Sequence, residues 1–196
     1  TGTLFPYTTL FRSNWDPGLD EETNLEAVIM VDLSGSMAST MREVSESLWA
    51  VKRSMQALDS RVTVLGFSEQ SFVLYQPTEK VDPTRMRLFG ARSSTIPDGA
   101  LQEAHRLLVT SNRSQKLLVS ITDGDWQGNR RKQDDTVKAL NGIGVVTVCI
   151  GIGAAPNDAH LHSVFHHLRD IRQMPVIATG IVAESLKSLS TQMQHT

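Results

Sequence analysis

Four apolar runs set the frame for this chain: "LEAVIMV" (25–31), "RVTVLGF" (61–67), "KLLVSIT" (116–122) and "VVTVCI" (145–150). Apolar runs of this length, bounded by turn residues, read as strands covered on both faces. The segments between them carry helical spacing. Met37, Met41, Val44, Leu48, Val51, Met55 and Leu58 recur at steps of four and three, which predicts one face of a long helix. Thr40 and Glu43 have the spacing of a capping box at its start. From Pro97 onward, Ala100, Leu101, Ala104, Leu107 and Leu108 mark a second helix, with Asp98 placed as its N-cap. "RKQDDTVKALNGIG" predicts a short polar helix stopped by glycine, and "DAHLHSVFHHL" also reads as helix. "SFVLY" (71–75) follows the second strand after three residues, as a hairpin partner would. "MPVIAT" (174–179) is expected to be a last short strand, and Val182, Leu186, Leu189 and Met193 a closing amphipathic helix. Strands alternating with helices give an α/β class, doubly wound. The expected sheet is mainly parallel with one antiparallel edge strand, with helices on both faces.

The chain has 196 residues, enough for one domain with a full core. A formal net charge of −2 gives no electrostatic footprint for nucleic acid or an acidic membrane, and neither is expected as a partner. No apolar run approaches the roughly 20 residues that span a bilayer. The single cysteine, Cys149, excludes an internal disulfide and any Cys-rich zinc site, and its apolar run predicts a buried thiol. "TLFPYTTLFRS" (3–13) looks like the in-frame translation of a sequencing-adapter oligonucleotide. Residues 1–13 are therefore set aside as an artefact, with the natural N-terminus expected to be missing. Residues 14–24, polar, acidic and turn-rich, read as a linker, and 25–196 as the domain.

In an open α/β sheet, ligands bind beyond the carboxyl ends of the strands. Three segments put oxygen-bearing side chains in or near such places. Asp32, Ser34 and Ser36 follow the first strand, Asp123 follows "KLLVSIT", and Thr95 lies in the loop before the second helix. Two carboxylates and three hydroxyls suit a hard cation such as Mg²⁺, whereas zinc or copper would select His or Cys. Hydroxyls are neutral donors, so an ion held mostly by them keeps positive charge and an open position for an outside carboxylate. Alternation in Asp32-x-Ser34-x-Ser36 lets the three side chains converge on one side of an extended turn. Other roles stay open from the residues alone. Asp32 can cap the helix it precedes, Ser34 and Ser36 can fill turn hydrogen bonds, and Asp123-Gly124 is a common turn pair.

The set "DLSGS", Thr95 in "SSTIPDGALQEA" and Asp123 in "ITDGD" resembles the metal-ion-dependent adhesion site of von Willebrand factor A domains. The resemblance covers about residues 25–196; Pro97 stands where that family has a second threonine. It implies a Rossmann-like fold and a metal site of Asp32, Ser34, Ser36, Thr95 and Asp123, with Mg²⁺, or Mn²⁺ or Ca²⁺, as the ion. It further implies a non-enzymatic module whose partner protein supplies an Asp or Glu, with ligation in related domains coupled to the last helix, here about 181–194. "SSTIPDGALQEAHRLL" (93–108) is similar to cobalt-chelatase-type subunits and other bacterial proteins that work with ring-shaped AAA+ ATPases, which implies a cytoplasmic module. The alternatives are a subunit of a metal-chelatase complex and an exported adhesion domain.

Other signals are weaker. "GIGAAP" (151–156) lacks the third glycine of a dinucleotide loop. His162 and His166, four apart, would share a helix face, as incidental histidines rather than a metal site. Trp126, three residues after Asp123, is either an exposed contact residue or a cover for the sheet edge.

Overall fold

A computed structural model describes residues 24–56, 60–82, 84–153 and 161–169, with single positions 159, 173 and 180. The expected strand over 174–179 and the closing helix lie outside the described residues, as do 1–23.

Among the described residues, six strands form one sheet in the order β3-β2-β1-β4-β5-β6. They are β1 (Leu25–Asp32), β2 (Arg61–Phe67), β3 (Ser71–Tyr75), β4 (Gln115–Thr122), β5 (Val146–Ile152) and β6 (Val164–Leu168). All pairings are parallel except β2 with β3, the predicted hairpin. The helices are α1 (Met41–Gln56), α2 (Asp98–Thr110) and α3 (Arg130–Gly142).

The run in β1 is apolar because each face meets helices. Leu25, Ala27, Ile29 and Val31 pack with Met41, Val44, Leu48, Val51 and Met55 of α1. Val28 and Met30, on the other face, pack with Ala100, Leu101, Ala104 and Leu108 of α2 and Val137 and Leu140 of α3. The period of two in the strand and the period near four in the helices thus assign, among the described residues, one helix to one face and two to the other. Cys149 is fully buried in β5.

The start of α1 differs from expectation. Gly35–Ser39 form a 3-10 turn holding buried Met37, and the Thr40 hydroxyl donates back to the Met37 carbonyl (3.0 Å) rather than capping toward Glu43. Asp98 is the first residue of α2, not its N-cap, which is Pro97. "DAHLHSVFHHL" is not one helix, because Val164–Leu168 pair with Val148–Ile152 as strand β6. The physical reason is the bare edge of β5. Pairing satisfies its backbone groups, and β-branched Val164 and aromatic Phe165 favour the extended chain.

Lys52 of α1 is fully buried and donates to the carbonyls of Val62 (2.5 Å), Gln76 (2.7 Å) and Pro77 (3.4 Å). It pins α1 to the start of β2 and to the chain leaving β3. Burial pushes its pKa down to about 8, with the Glu79 carboxylate acting the other way. Between pH 8 and the ordinary lysine value of 10.5 the unfolded chain retains a proton that the folded chain has released, so stability rises with pH across that window. Urea unfolding near pH 9.5 is expected to show about 1 kcal/mol more stability than at pH 8, a gain absent in Lys52→Met. An equal slope in both proteins would contradict this origin.

Candidate metal centre

Two connections leave β1 and its neighbour in opposite directions. The chain from β1 moves through α1 to β2 on one side, while β4 leads through α3 to β5 on the other. The crevice between β1 and β4 is therefore the topological switch point of the sheet, where ligands of open α/β folds sit. Parallel register brings Val31 beside Ile121, so Asp32 and Thr122 end their strands side by side.

Asp32 is fully buried, and both its oxygens are used. Oδ1 accepts from the Ser34 backbone N–H (2.8 Å), and Oδ2 accepts from the Thr122 hydroxyl (2.6 Å). Burial raises its pKa above the ordinary carboxylate value. The bonds from Thr122 and Ser34 oppose that shift, while the nearby charge of Asp123 adds to it. Two carboxylates brought together in this way favour a positive charge between or beside them.

The hydroxyls complete a short relay. Ser36 Oγ donates to Asp123 Oδ1 (2.9 Å), and the Ser34 and Ser36 hydroxyls lie 3.0 Å apart. Ser34 is buried and extended, and Ser36 is exposed at the mouth. Four of the five residues expected as ligands are thus joined by side-chain contacts or flank one another on the same loop.

Thr95 is brought in by backbone. The Arg92 N–H donates to the Leu33 carbonyl, Gly35 N–H to Ser93 O (3.4 Å), and Gln127 N–H to Thr95 O (2.8 Å). The loop carrying Thr95 is therefore stitched to both of the others, and Thr95 itself is buried. Gly35 eases this approach, because a Cβ there would crowd the Arg92 carbonyl at 3.3 Å. From the hairpin side, the exposed Glu69 carboxylate accepts from the Ser93 (2.8 Å) and Ser94 (3.3 Å) hydroxyls.

Trp126 is buried, not an exposed contact residue. It meets Phe67 edge-on (6.3 Å between centroids) and His162 likewise (5.5 Å). It anchors the loop after Asp123 to the sheet. His162 is also buried, with Nε2 3.1 Å from Ser120 Oγ, whereas His166 lies in β6, so the two do not form a helical pair. Among the described residues no group of three or more His, Cys, Asp or Glu is placed to hold a metal. Sequence reading missed Thr122, whose signal was its place just before Asp123. It also missed Glu69, for which no sequence signal exists.

The doubly wound sheet, with this oxygen-bearing cluster at its switch point, is the architecture of a known domain family. The family model for the von Willebrand factor type A domain matches residues 26–171. The chain belongs to that family, one of metal-dependent protein-interaction modules. It is similar to mouse (Mus musculus) integrin alpha-X, with 21% identity over 100% of this chain and 18% of the integrin. Among solved structures it resembles a von Willebrand factor type A protein from Catenulispora acidiphila (TM-score 0.62, 20% identity, 82% of this chain and 42% of that one). It also resembles proximal thread matrix protein 1 of the mussel byssus, solved with a zinc-occupied metal-ion-dependent adhesion site (TM-score 0.64, 16% identity, 83% and 46%). The chain spans less than half the length of each of these relatives.

Proposed function

We propose that this domain binds one divalent cation of the Mg²⁺ type through Asp32, Ser34, Ser36, Thr95 and Asp123, and through it the carboxylate of an Asp or Glu on a partner protein. The observation that carries this reading is the all-oxygen cluster itself, with Ser34, Ser36 and Asp123 in direct hydrogen-bond contact beside buried Asp32. The donor set fits a hard cation. A bound ion would supply an electrophile that accepts an outside carboxylate. This chain's own contribution is to orient the donors. Thr122 and the Ser34 amide fix Asp32, the hairpin residue Glu69 holds the second loop, and buried Trp126 anchors the third. With three neutral hydroxyls and two acids as donors, the cluster at most neutralises a divalent ion and does not overcompensate it, so the ion can still accept an outside carboxylate, as binding rather than storage requires. Nothing in the cluster resembles a general base poised beside a reacting atom, and the reading is a non-catalytic one.

The finer reading places the module in the cytoplasm as part of a larger protein acting with a ring-shaped ATPase. It is supported by the likeness of residues 93–108 to such proteins. The test of the core reading is binding of a fluorescent Glu-containing peptide with Mg²⁺ and with EDTA. Binding that needs Mg²⁺ and is competed by excess acetate is expected. Equal binding in EDTA would overturn the carboxylate-on-metal reading.

A further inference from the structure

Thr95 lies near the end of a segment, residues 84–97, that belongs to no helix or strand, yet a cation ligand must be held within about 0.5 Å of its working position. Its backbone shows how this is achieved. The Thr95 carbonyl accepts from Gln127 N–H (2.8 Å). The Gln127 carbonyl in turn accepts from Nε2 of Gln133 (2.6 Å), a residue buried on α3. The same Nε2 donates to Asp98 Oδ1 (2.9 Å), and Asp98 Oδ2 accepts from Asn129 N–H (3.1 Å). Asp98 follows Thr95 by three residues, so the circuit closes on the second loop from which it started. Gly128 has φ +95° and sits so close to Asp98 that a Cβ there would overlap Oδ2 and crowd Ile96. A charged acceptor shared by a backbone N–H and a buried amide is a strong use of a carboxylate.

We propose that Asp98 and Gln133 form a clasp between the second and third loops that sets Thr95 relative to Asp123. Asp98 is then a positioning residue for the metal site. Its own hydrogen bonds go to Asn129 and Gln133, so it acts through Gln127 on the Thr95 loop. This inference rests on the metal-binding reading above, and its test separates the two.

The clasp is read first in metal-free protein, by amide hydrogen exchange at Gln127 and Asn129. Asp98→Ala is expected to speed exchange at both by at least about tenfold, and Asp98→Asn, which keeps one acceptor oxygen, to lie between. Unchanged exchange in Asp98→Ala overturns the clasp. Mg²⁺ titration of wild type, Asp98→Ala, Thr95→Ala and the double variant then reads the positioning role. Asp98→Ala is expected to weaken Mg²⁺ about tenfold in the wild-type background and not further in Thr95→Ala, because it acts through that residue. The same loss in both backgrounds overturns action through Thr95. If exchange responds but wild type binds no Mg²⁺, the metal reading fails, and the positioning role fails with it.

Discussion

Asp32→Ala is expected to weaken Mg²⁺ binding by more than about 100-fold while the metal-free protein stays folded, since even outer partners of metal ligands cost 10–100-fold. Both halves of that result follow from the position of Asp32. Its carboxylate is fully buried beside Asp123, and burial opposes its charge unless a cation is present. Removing it deletes a ligand and also relieves that cost. The partners left behind are few. The Thr122 hydroxyl already lies 3.0 Å from the Gly124 carbonyl and can turn to it, so chiefly the Ser34 amide loses its acceptor. One lost bond of this kind costs about 1–3 kcal/mol. Thermal unfolding separates the effects. At a Mg²⁺ concentration about 100 times Kd, wild type gains about 2.7 kcal/mol of stability, and Asp32→Ala gains none. A Mg²⁺-dependent shift that persists in the variant would place the ion elsewhere.

Gly128→Ala is expected to destabilise the fold by about 2–5 kcal/mol, from a strained positive φ and from overpacking against a neighbour that withdraws only by giving up its hydrogen bonds. The neighbour is Asp98, held on one side by Asn129 and on the other by Gln133. Relief requires that the carboxylate leave both partners, so the strain appears as a broken clasp. Asp98→Gly removes the overlapping oxygens. In that background Gly128→Ala should cost only its backbone strain, about 1–3 kcal/mol. Chemical denaturation of the four proteins measures the coupling, and strict additivity would show that the clash is not with Asp98.

The site was legible in the sequence where its parts are local and chemical. Asp32, Ser34 and Ser36 share one turn, and Asp123 ends a strand whose apolar run announces it. Thr95 was found by family pattern rather than by chemistry, because the bonds that deliver its loop are made by the backbone of Arg92, Gly35 and Gln127. Apart from Gly35, where a Cβ would crowd the Arg92 carbonyl, most side chains leave such bonds possible, so they leave little trace in composition or spacing. Asp98 was read as an N-cap because caps are local, whereas its partner Gln133 is 35 positions away. Strand β6 was misread for a related reason. Its conformation comes chiefly from the free edge of β5, which Val164 and Phe165 only assist, and the spacing of His162 and His166 imitates a helix. The doubly wound class, the antiparallel edge strand and the two-faced core were readable because they rest on the apolar runs of the strands and the helical spacing between them.

The most direct measurement is a crystal of the protein grown with Mn²⁺ in place of Mg²⁺, with diffraction recorded on both sides of the manganese absorption edge. One anomalous peak is expected at the carboxyl ends of β1 and β4, within coordination distance of oxygens from Ser34, Ser36 and Thr95 and held directly or through water by Asp32 and Asp123. No peak there in a well-ordered crystal, or a peak at some other cluster, would contradict it.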